Sequence, residues 1–443
     1  MHAYKIGRFL GWYYSSSLYG CMDPDYRPKV VIGKDTRRSS YMLEYSIAAG
    51  LAASGADAYM LHVTTTPSVS YVAKREAFDC GIMITASHNP YFDNGIKIIN
   101  RNGEKSDDEI LSLIEAYLDS DLHALGIEEE DIPLKQREKI GRIVDNSAGR
   151  NRYIAYLIAL ASHSYKHLRI GLDLANGASH LIAQAVFGAL GAQVETIGAE
   201  PNGVNINLGC GSTNTDRLCR LVKEKNLDLG FAFDGDGDRC IAVDENGNIV
   251  DGDSILYILA KRFRESGMLE NNTVAATVMS NSGLFTSLER EGIRCVQTPV
   301  GDRFVYECMI KNGYALGGEQ SGHIIMKKYA TTGDGILTAL MLTEEICDRK
   351  ISLSRLSASV LLYPQYVENI KVTDKDATVA DPHVRKEVQR TEALIGGKGR
   401  VLLRKSGTES VIRILVECES EEKCKEYAHG IARVICERGY CHE

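Results

Sequence analysis

The sequence predicts an α/β protein built of several domains, and three observations carry that prediction. Runs of about five apolar residues, rich in Val and Ile, alternate with longer stretches of helical period, the pattern of layered α/β structure with crossover helices. Strand-like runs end in small and polar residues at GIMITASHNP, RIGLDLANGAS, LGFAFDGDGDR, TVAATVMSNSG and YALGGEQSGH. The 443 residues exceed what one hydrophobic core supports.

Residues 29–33 read as a buried strand ending in a turn. Residues 41–54 read as a helix, because Leu43, Ile47 and Leu51 share one face and Gly55 supplies a stop. Polar and glycine residues at 146–151, the stretch near Val250, and residues 363–367 around Pro364 mark the boundaries. They divide the chain into 1–147, 148–249, 250–362 and 363–443. Ligands bind at the carboxyl ends of strands in open α/β sheets, so the loops that follow these runs are the places to look for a site.

Composition narrows the function. Hydrophobic residues at 44% and charged residues at 25% suit a globular protein rather than a disordered or fibrous one. No apolar run reaches the length of a membrane span, and the opening MHAYKIGRFLGWYY lacks the apolar stretch of an export signal, so a cytoplasmic protein is expected. The twelve cysteines are scattered without a CxxC pair and are expected to be reduced. With 51 Lys and Arg against 59 Asp and Glu, the net charge of −8 offers nucleic acid no general attraction. An anionic ligand must be held locally, by Arg, Lys, hydroxyls and backbone N–H groups.

Four segments carry chemistry. Thr85-Ala86-Ser87-His88-Asn89-Pro90 follows a strand-like run and can expose a hydroxyl, although a lone serine there is most simply a polar turn. Asp234, Asp236 and Asp238 alternate with two glycines, so three carboxylates can converge on one hard cation, Mg²⁺ or Ca²⁺. A plain solvated acidic turn is one competing reading, and an EF-hand, with Glu245 at the twelfth loop position, is the sharper one. Arg239 at the sixth, where glycine is needed, and strand-like flanks oppose it.

Gly317-Gly318-Glu319-Gln320-Ser321-Gly322-His323 combines a carboxylate, an amide, a hydroxyl and an imidazole, a set that suits a polyol but also an ordinary glycine-rich loop. Arg404, Lys405, Ser406, Gly407, Thr408, Glu409 and Ser410, with Arg413 beyond, form a possible anion cradle or a charged surface turn.

TASHNP, DGDGDR, GEQSG and RKSGTE, in that order, resemble the serine, metal, sugar and phosphate loops of the α-D-phosphohexomutase superfamily. The likeness spans nearly the whole chain. GKDTR, DNGIKIIN, NIN followed by CGST, LGGEQSGH and TTGDGILTAL point within it to the bacterial glucosamine branch. The resemblance implies three similar mixed-sheet α/β domains and a smaller C-terminal α+β domain, TATA-binding-protein-like, around a central cleft.

The resemblance implies that Ser87 carries a phosphoryl group and joins Asp234, Asp236 and Asp238 in binding one Mg²⁺. It places Arg239 beside that phosphate, Glu319 and Ser321 on sugar hydroxyls, and Arg404, Ser406, Gly407, Thr408 and Arg413 on the non-reacting phosphate. Lys97, followed by His88 and His323, is the implied general base. The implied activity interconverts glucosamine 6-phosphate and glucosamine 1-phosphate, upstream of UDP-N-acetylglucosamine, with a hexosamine 1,6-bisphosphate as intermediate and activator. A phosphomannomutase or phosphoglucomutase is the nearest rival.

Two departures stand out. Ser410 replaces a usual proline, and Met1 falls inside the family's first helix, so the usual N-terminal Thr-Asp-Gly-x-Arg segment and its arginine are expected to be missing. A sugar-phosphate-binding protein with little turnover is the reading that this second departure favours. Small-molecule phosphosugars are the expected partners; nucleic acid and membrane are not.

Overall fold

A computed structural model describes residues 1–16, 19–21, 23, 25–121, 125, 131–405 and 410–441. The chain divides into two compact units, Met1–Val278 with Val296–Ser357, and Met279–Cys295 with Ala358–Glu443.

In the first unit, β1 (Lys29–Lys34), β2 (Asp57–Val63), β3 (Cys80–Ile84), β4 (Ile96–Asn100) and β5 (Ile143–Asp145) form a sheet in the order β4-β3-β1-β2-β5. β1 runs parallel to β2 and β3, whereas β4 pairs antiparallel with β3. Val30 and Ile32 enter one core while Val31 enters another on the opposite face. Continuous apolar runs are what a strand covered by helices on both faces requires. The helix read at 41–54 begins earlier, at Arg38, and ends at Ala53.

A second sheet contains β6 (Arg169–Asp173), β7 (Gln193–Ile197), β8 (Leu229–Phe233), β9 (Cys240–Asp244) and β10 (Ile249–Val250), in the order β10-β9-β8-β6-β7. A third contains β11 (Thr273–Thr277), β12 (Arg294–Thr298), β13 (Leu316–Gly318) and β14 (Ile324–Met326), ordered β12-β11-β13-β14. The three sheets repeat one plan. The first strand is flanked by the second and third, and an antiparallel fourth lies beyond the third. No repeat is legible in the residues, because a parallel core asks only for short apolar runs and not for particular side chains.

β15 (Gln365–Lys371), β16 (Arg400–Lys405) and β17 (Val411–Glu417) form an antiparallel sheet in the second unit, ordered β15-β17-β16. Ile412, Ile414 and Val416 of the central strand pack on Cys424, Ala428, Ile431 and Ile435 of helix Glu421–Glu437. That i, i+4, i+7, i+11 spacing is one helical face.

The cysteine expectation holds for ten free thiols, six of them buried. It is corrected at Cys436 and Cys441, which are joined as a disulfide with Cα atoms 4.9 Å apart. The turn after the last helix brings them to bonding distance, a proximity that scattered spacing in the sequence does not reveal. No helix among the described residues is long and apolar enough to cross a membrane.

Candidate active site

Three of the four chemistry-bearing segments occupy the same place in the repeated plan. The loop of Ser87 joins β3 to β4, the aspartate loop joins β8 to β9, and the Glu319 loop joins β13 to β14. Each loop is thus the connection between a buried third strand and its antiparallel neighbour.

Ser87 has φ +49°, a left-handed conformation uncommon outside glycine. Its neighbours hold it there. Its N–H donates to Thr85 Oγ1 at 2.9 Å, and Thr85 Oγ1 in turn donates to Asp35 Oδ2 at 2.7 Å. Asp35 also pairs with Arg37 Nε at 2.7 Å, and both side chains are fully buried. The Arg37 guanidinium donates to the carbonyls of Ser87 and Asn89 at 2.9 Å, of Asp93 at 3.1 Å, and of Pro90. Asn207 Nδ2 donates to the carbonyls of Ser87 and Asn89 from the second sheet's side, at 2.9 and 3.0 Å. Sequence reasoning missed Asp35, Arg37 and Asn207 as site residues. The only signal lay in GKDTR and NIN, where the resemblance marked them without a role.

Asp234, Asp236 and Asp238 are buried, and one oxygen from each lies within 4.8 Å of the others. The strand flanks and the position of Glu245 exclude the EF-hand. Glu245 accepts bonds from the N–H and hydroxyl of Ser354 instead of joining the triad. The loop is seated by backbone bonds from Ala178 N–H to Gly235 (2.8 Å), Thr66 N–H to Asp236 (3.0 Å) and Gly335 N–H to Gly237 (3.1 Å). Asp236 Oδ1 and Asp238 Oδ1 are buried without a hydrogen-bond donor among the described residues. Orphaned carboxylate oxygens on a three-carboxylate cluster suit a hard divalent cation.

Ser87 Oγ donates to Asp234 Oδ2 at 2.6 Å, so the hydroxyl meets the triad. Lys97 Nζ lies 2.6 Å from Asp236 Oδ2 and 3.2 Å from Asp238 Oδ2. Burial lowers the Lys97 pKa, but the facing Asp236 and Asp238 outweigh it and hold the ammonium charged. A lysine whose pKa falls toward neutrality is not what these carboxylates produce. Burial and the charges of Asp238 and Asp236 push Asp234 up, whereas Asp238, despite burial, is driven down by Lys97 and His323.

His88 Nδ1 lies 3.4 Å from Ser87 Oγ, and burial together with Arg239 lowers its pKa. His323 is buried behind the triad, with Nδ1 3.7 Å from Asp238 Oδ1 and Nε2 3.3 Å from Asp302 Oδ2. Burial pulls its pKa down, but Asp302 and Asp238 raise it. The Arg239 N–H donates to Asp234 Oδ1 at 3.2 Å. Its guanidinium, against the cost of burial, is held charged by Asp234, Asp238 and Glu319.

The Glu319 loop is a tight turn, with Gly322 N–H donating to the Glu319 carbonyl at 3.0 Å. It docks on the second sheet through Cys240 N–H to the Gly322 carbonyl, also 3.0 Å. Glu319 Oε1 accepts the Gly301 N–H at 3.2 Å, and Ser321 is exposed. The structure therefore brings Ser87, His88, Lys97, the three aspartates, Arg239, Glu319, Ser321 and His323 into one unit of the chain.

Arg404 and Arg413 belong to the other unit, where they are paired residues of β16 and β17. Arg413 Nε is buried with no hydrogen-bond partner among the described residues. Ser406, Gly407 and Thr408 lie outside the described residues.

Comparison with known proteins agrees along the chain. The phosphoglucomutase/phosphomannomutase family matches in four pieces: alpha/beta/alpha domain I at residues 2–124, domain II at 151–247, domain III at 251–363 and the C-terminal domain at 368–434. A phosphoglucosamine mutase of Lachnospira eligens is 53% identical over 439 residues, 99% of this chain and 95% of the relative. Among solved structures, a phosphoglucomutase/phosphomannomutase family protein of Burkholderia thailandensis superposes with TM-score 0.78 at 22% identity, covering 99% of this chain and 93% of that one. The Aspergillus fumigatus N-acetylphosphoglucosamine mutase, in complex with GlcNAc-6P and magnesium, gives TM-score 0.65 at 16% identity over 85% of this chain and 93% of that one.

Proposed function

The chain belongs to the phosphoglucomutase/phosphomannomutase family, and from that premise we propose that it is a phosphoglucosamine mutase acting through a phosphoserine at Ser87. The observation that carries the reading is the 2.6 Å contact of Ser87 Oγ with Asp234 in a buried carboxylate triad. A hydroxyl placed there can hold a phosphoryl group at the metal position.

Asp234, Asp236 and Asp238, with an oxygen on Ser87, would hold one Mg²⁺. Bound there, the ion supplies Lewis-acid relief of the negative charge on the transferring phosphoryl group. The chain supplies the rest. Phosphoserine gives its phosphoryl group to the free hydroxyl of the sugar phosphate, so that the Oγ–P bond breaks as a new O–P bond forms. The hydroxyl proton passes to a base, for which His88, with Nδ1 3.4 Å from Ser87 Oγ and its pKa lowered by burial and Arg239, is the group beside the serine, whereas Lys97 stays charged against the aspartates. Arg239 and the Lys97 ammonium offset charge on the moving group.

The product of this half-reaction is glucosamine 1,6-bisphosphate, which turns end for end and returns its other phosphoryl group to Ser87. The same bisphosphate, supplied in trace, would recharge an unphosphorylated enzyme. Glu319 and Ser321 would position the sugar hydroxyls. Arg404, Ser406, Gly407, Thr408 and Arg413 would hold the phosphate that is not reacting.

The test is a coupled assay of glucosamine, glucose and mannose 6-phosphates with Mg²⁺ and activating bisphosphate, run on the wild type and on Ser87→Ala. The proposal expects the highest kcat/KM for glucosamine 6-phosphate, phosphate mapped to the Ser87 peptide, and nearly all turnover lost in the variant. Full activity in Ser87→Ala sinks the phosphoserine, and equal or higher kcat/KM for mannose 6-phosphate moves the assignment to phosphomannomutase.

A further inference from the structure

A cavity of about 570 Å³, within the size range of small-molecule sites, opens in the first unit without sharing a residue with the serine, aspartate or Glu319 loops. Its walls carry four basic side chains, Arg38, His62, Arg150 and His180, and no acidic residue. On a chain of net charge −8, the two fixed guanidinium charges in a wall without carboxylates give a local attraction for an anion.

The two arginines are available to a ligand. Arg38 opens the helix Arg38–Ala53, its N–H donates to the Gly203 carbonyl at 2.9 Å, and its side chain is exposed without an ion pair among the described residues. Arg150 gives Nη1 to the Val63 carbonyl at 3.3 Å, while its Nε is buried with no hydrogen-bond partner. The imidazoles are less free. His62 Nδ1 lies 3.6 Å from Glu44 Oε1 and its Nε2 3.8 Å from Asp145 Oδ2, and His180 Nδ1 donates to the Gly177 carbonyl at 2.9 Å. Tyr41 and Leu181, both about half exposed, add an aromatic and an aliphatic wall.

We propose that this cavity is a second anion site, separate from the reaction centre, which takes a small phosphate ester between Arg38 and Arg150 and rests its organic part on Tyr41 and Leu181. Guanidinium groups without a carboxylate partner can turn their N–H forks to phosphate oxygens without breaking an existing ion pair. The ring and the aliphatic side chain offer area that a bare inorganic ion cannot use. The site also touches the reaction centre's support. Thr36 and Arg38 line the cavity, while Asp35 and Arg37, the alternate residues of the same segment, hold the Ser87 loop.

The probe is phenyl phosphate, titrated calorimetrically into the full chain and soaked into its crystals, with phenol and inorganic phosphate as separate arms. The expected results are density between Arg38 and Arg150 and a binding event that Arg38→Gln and Arg150→Gln each weaken at least about tenfold, or 1.4 kcal/mol. Phenol is expected not to bind, and inorganic phosphate to bind more weakly than its ester. Arg150→Gln loses a backbone hydrogen bond and can disturb the fold, so the exposed Arg38→Gln, checked for an unchanged Tm, decides the matter. Density at the reaction centre alone, or an Arg38→Gln titration that superimposes on the wild type, overturns the proposal.

Discussion

The guanidinium of Arg37 holds the backbone carbonyl of Ser87 at 2.9 Å and is itself fixed by the buried carboxylate of Asp35. One side chain thereby fixes the backbone at the candidate nucleophile and along the loop that follows it, since it also bonds the carbonyls of Asn89, Pro90 and Asp93. Arg37→Met should leave those carbonyls and a buried carboxylate without their partner, at a cost of about 3–5 kcal/mol. Urea unfolding measures that loss. A wild-type kcat in an Arg37→Met protein that remains folded would show that the serine loop does not need this anchor.

The division between what the sequence reveals and what it hides follows from the same residues. The aspartate triad is legible because its three carboxylates stand at alternate positions of one short loop. The strands on either side are legible because they are buried on every residue. Arg37 and Asn207 are different, since each acts on backbone carbonyls 50 and 120 positions away from it along the chain. A contact to a carbonyl places no demand on the identity of the residue that owns it, so no local pattern records the pairing.

Asp236→Asn should separate metal binding from folding. The wild type gathers three buried carboxylates, and Asp236 Oδ1 has no donor among the described residues. Removing one negative charge relieves repulsion among the carboxylates but weakens the 2.6 Å pair with Lys97, and it leaves a poorer ligand for a hard cation. The expected outcome, read against the variant's own metal-free Tm, is a Mg²⁺-induced rise in Tm that needs at least about tenfold more Mg²⁺. Superimposable Mg²⁺ titrations of variant and wild type would exclude Asp236 as a ligand.

Asp334 predicts a pH effect of definite sign. It caps the helix Gly335–Arg349 by accepting the Leu337 N–H at 3.0 Å and also accepts the Tyr153 hydroxyl at 2.7 Å. Burial pushes its pKa up to about 6, although both hydrogen bonds work to lower it. The unfolded value is about 3.9, so folding takes up a proton between the two. The favourable contribution is complete below about pH 4 and is lost as pH rises through about 6. Asparagine can accept the Leu337 N–H without carrying charge. Asp334→Asn should therefore gain stability relative to wild type from pH 4 to pH 7, by up to about 3 kcal/mol. Urea midpoints across that range give the difference, and parallel curves for the two proteins would refute it.

Gly322 joins the Glu319 loop to the strand that leaves the aspartate loop, and the join allows no side chain. Its φ is +89°, and a Cβ built there would stand 2.2 Å from the carbonyl oxygen of Cys240. The same two residues share the 3.0 Å bond from Cys240 N–H to the Gly322 carbonyl, so the backbones cannot part without losing it. Alanine would therefore meet two penalties, an unfavourable backbone region and a contact with backbone that cannot swing aside. The loop would lift away from β9, and Glu319 would shift relative to Arg239, whose guanidinium it helps to keep charged. Gly322→Ala is expected to lower Tm by several degrees and kcat/KM for the sugar phosphate by at least about tenfold. Ser321→Ala is the control, because it removes one exposed hydroxyl and leaves the backbone join intact. It should raise KM with Tm unchanged. If Gly322→Ala kept the wild-type kcat/KM while its Tm fell, the seat on β9 would serve the fold alone and would not place Glu319 for the substrate.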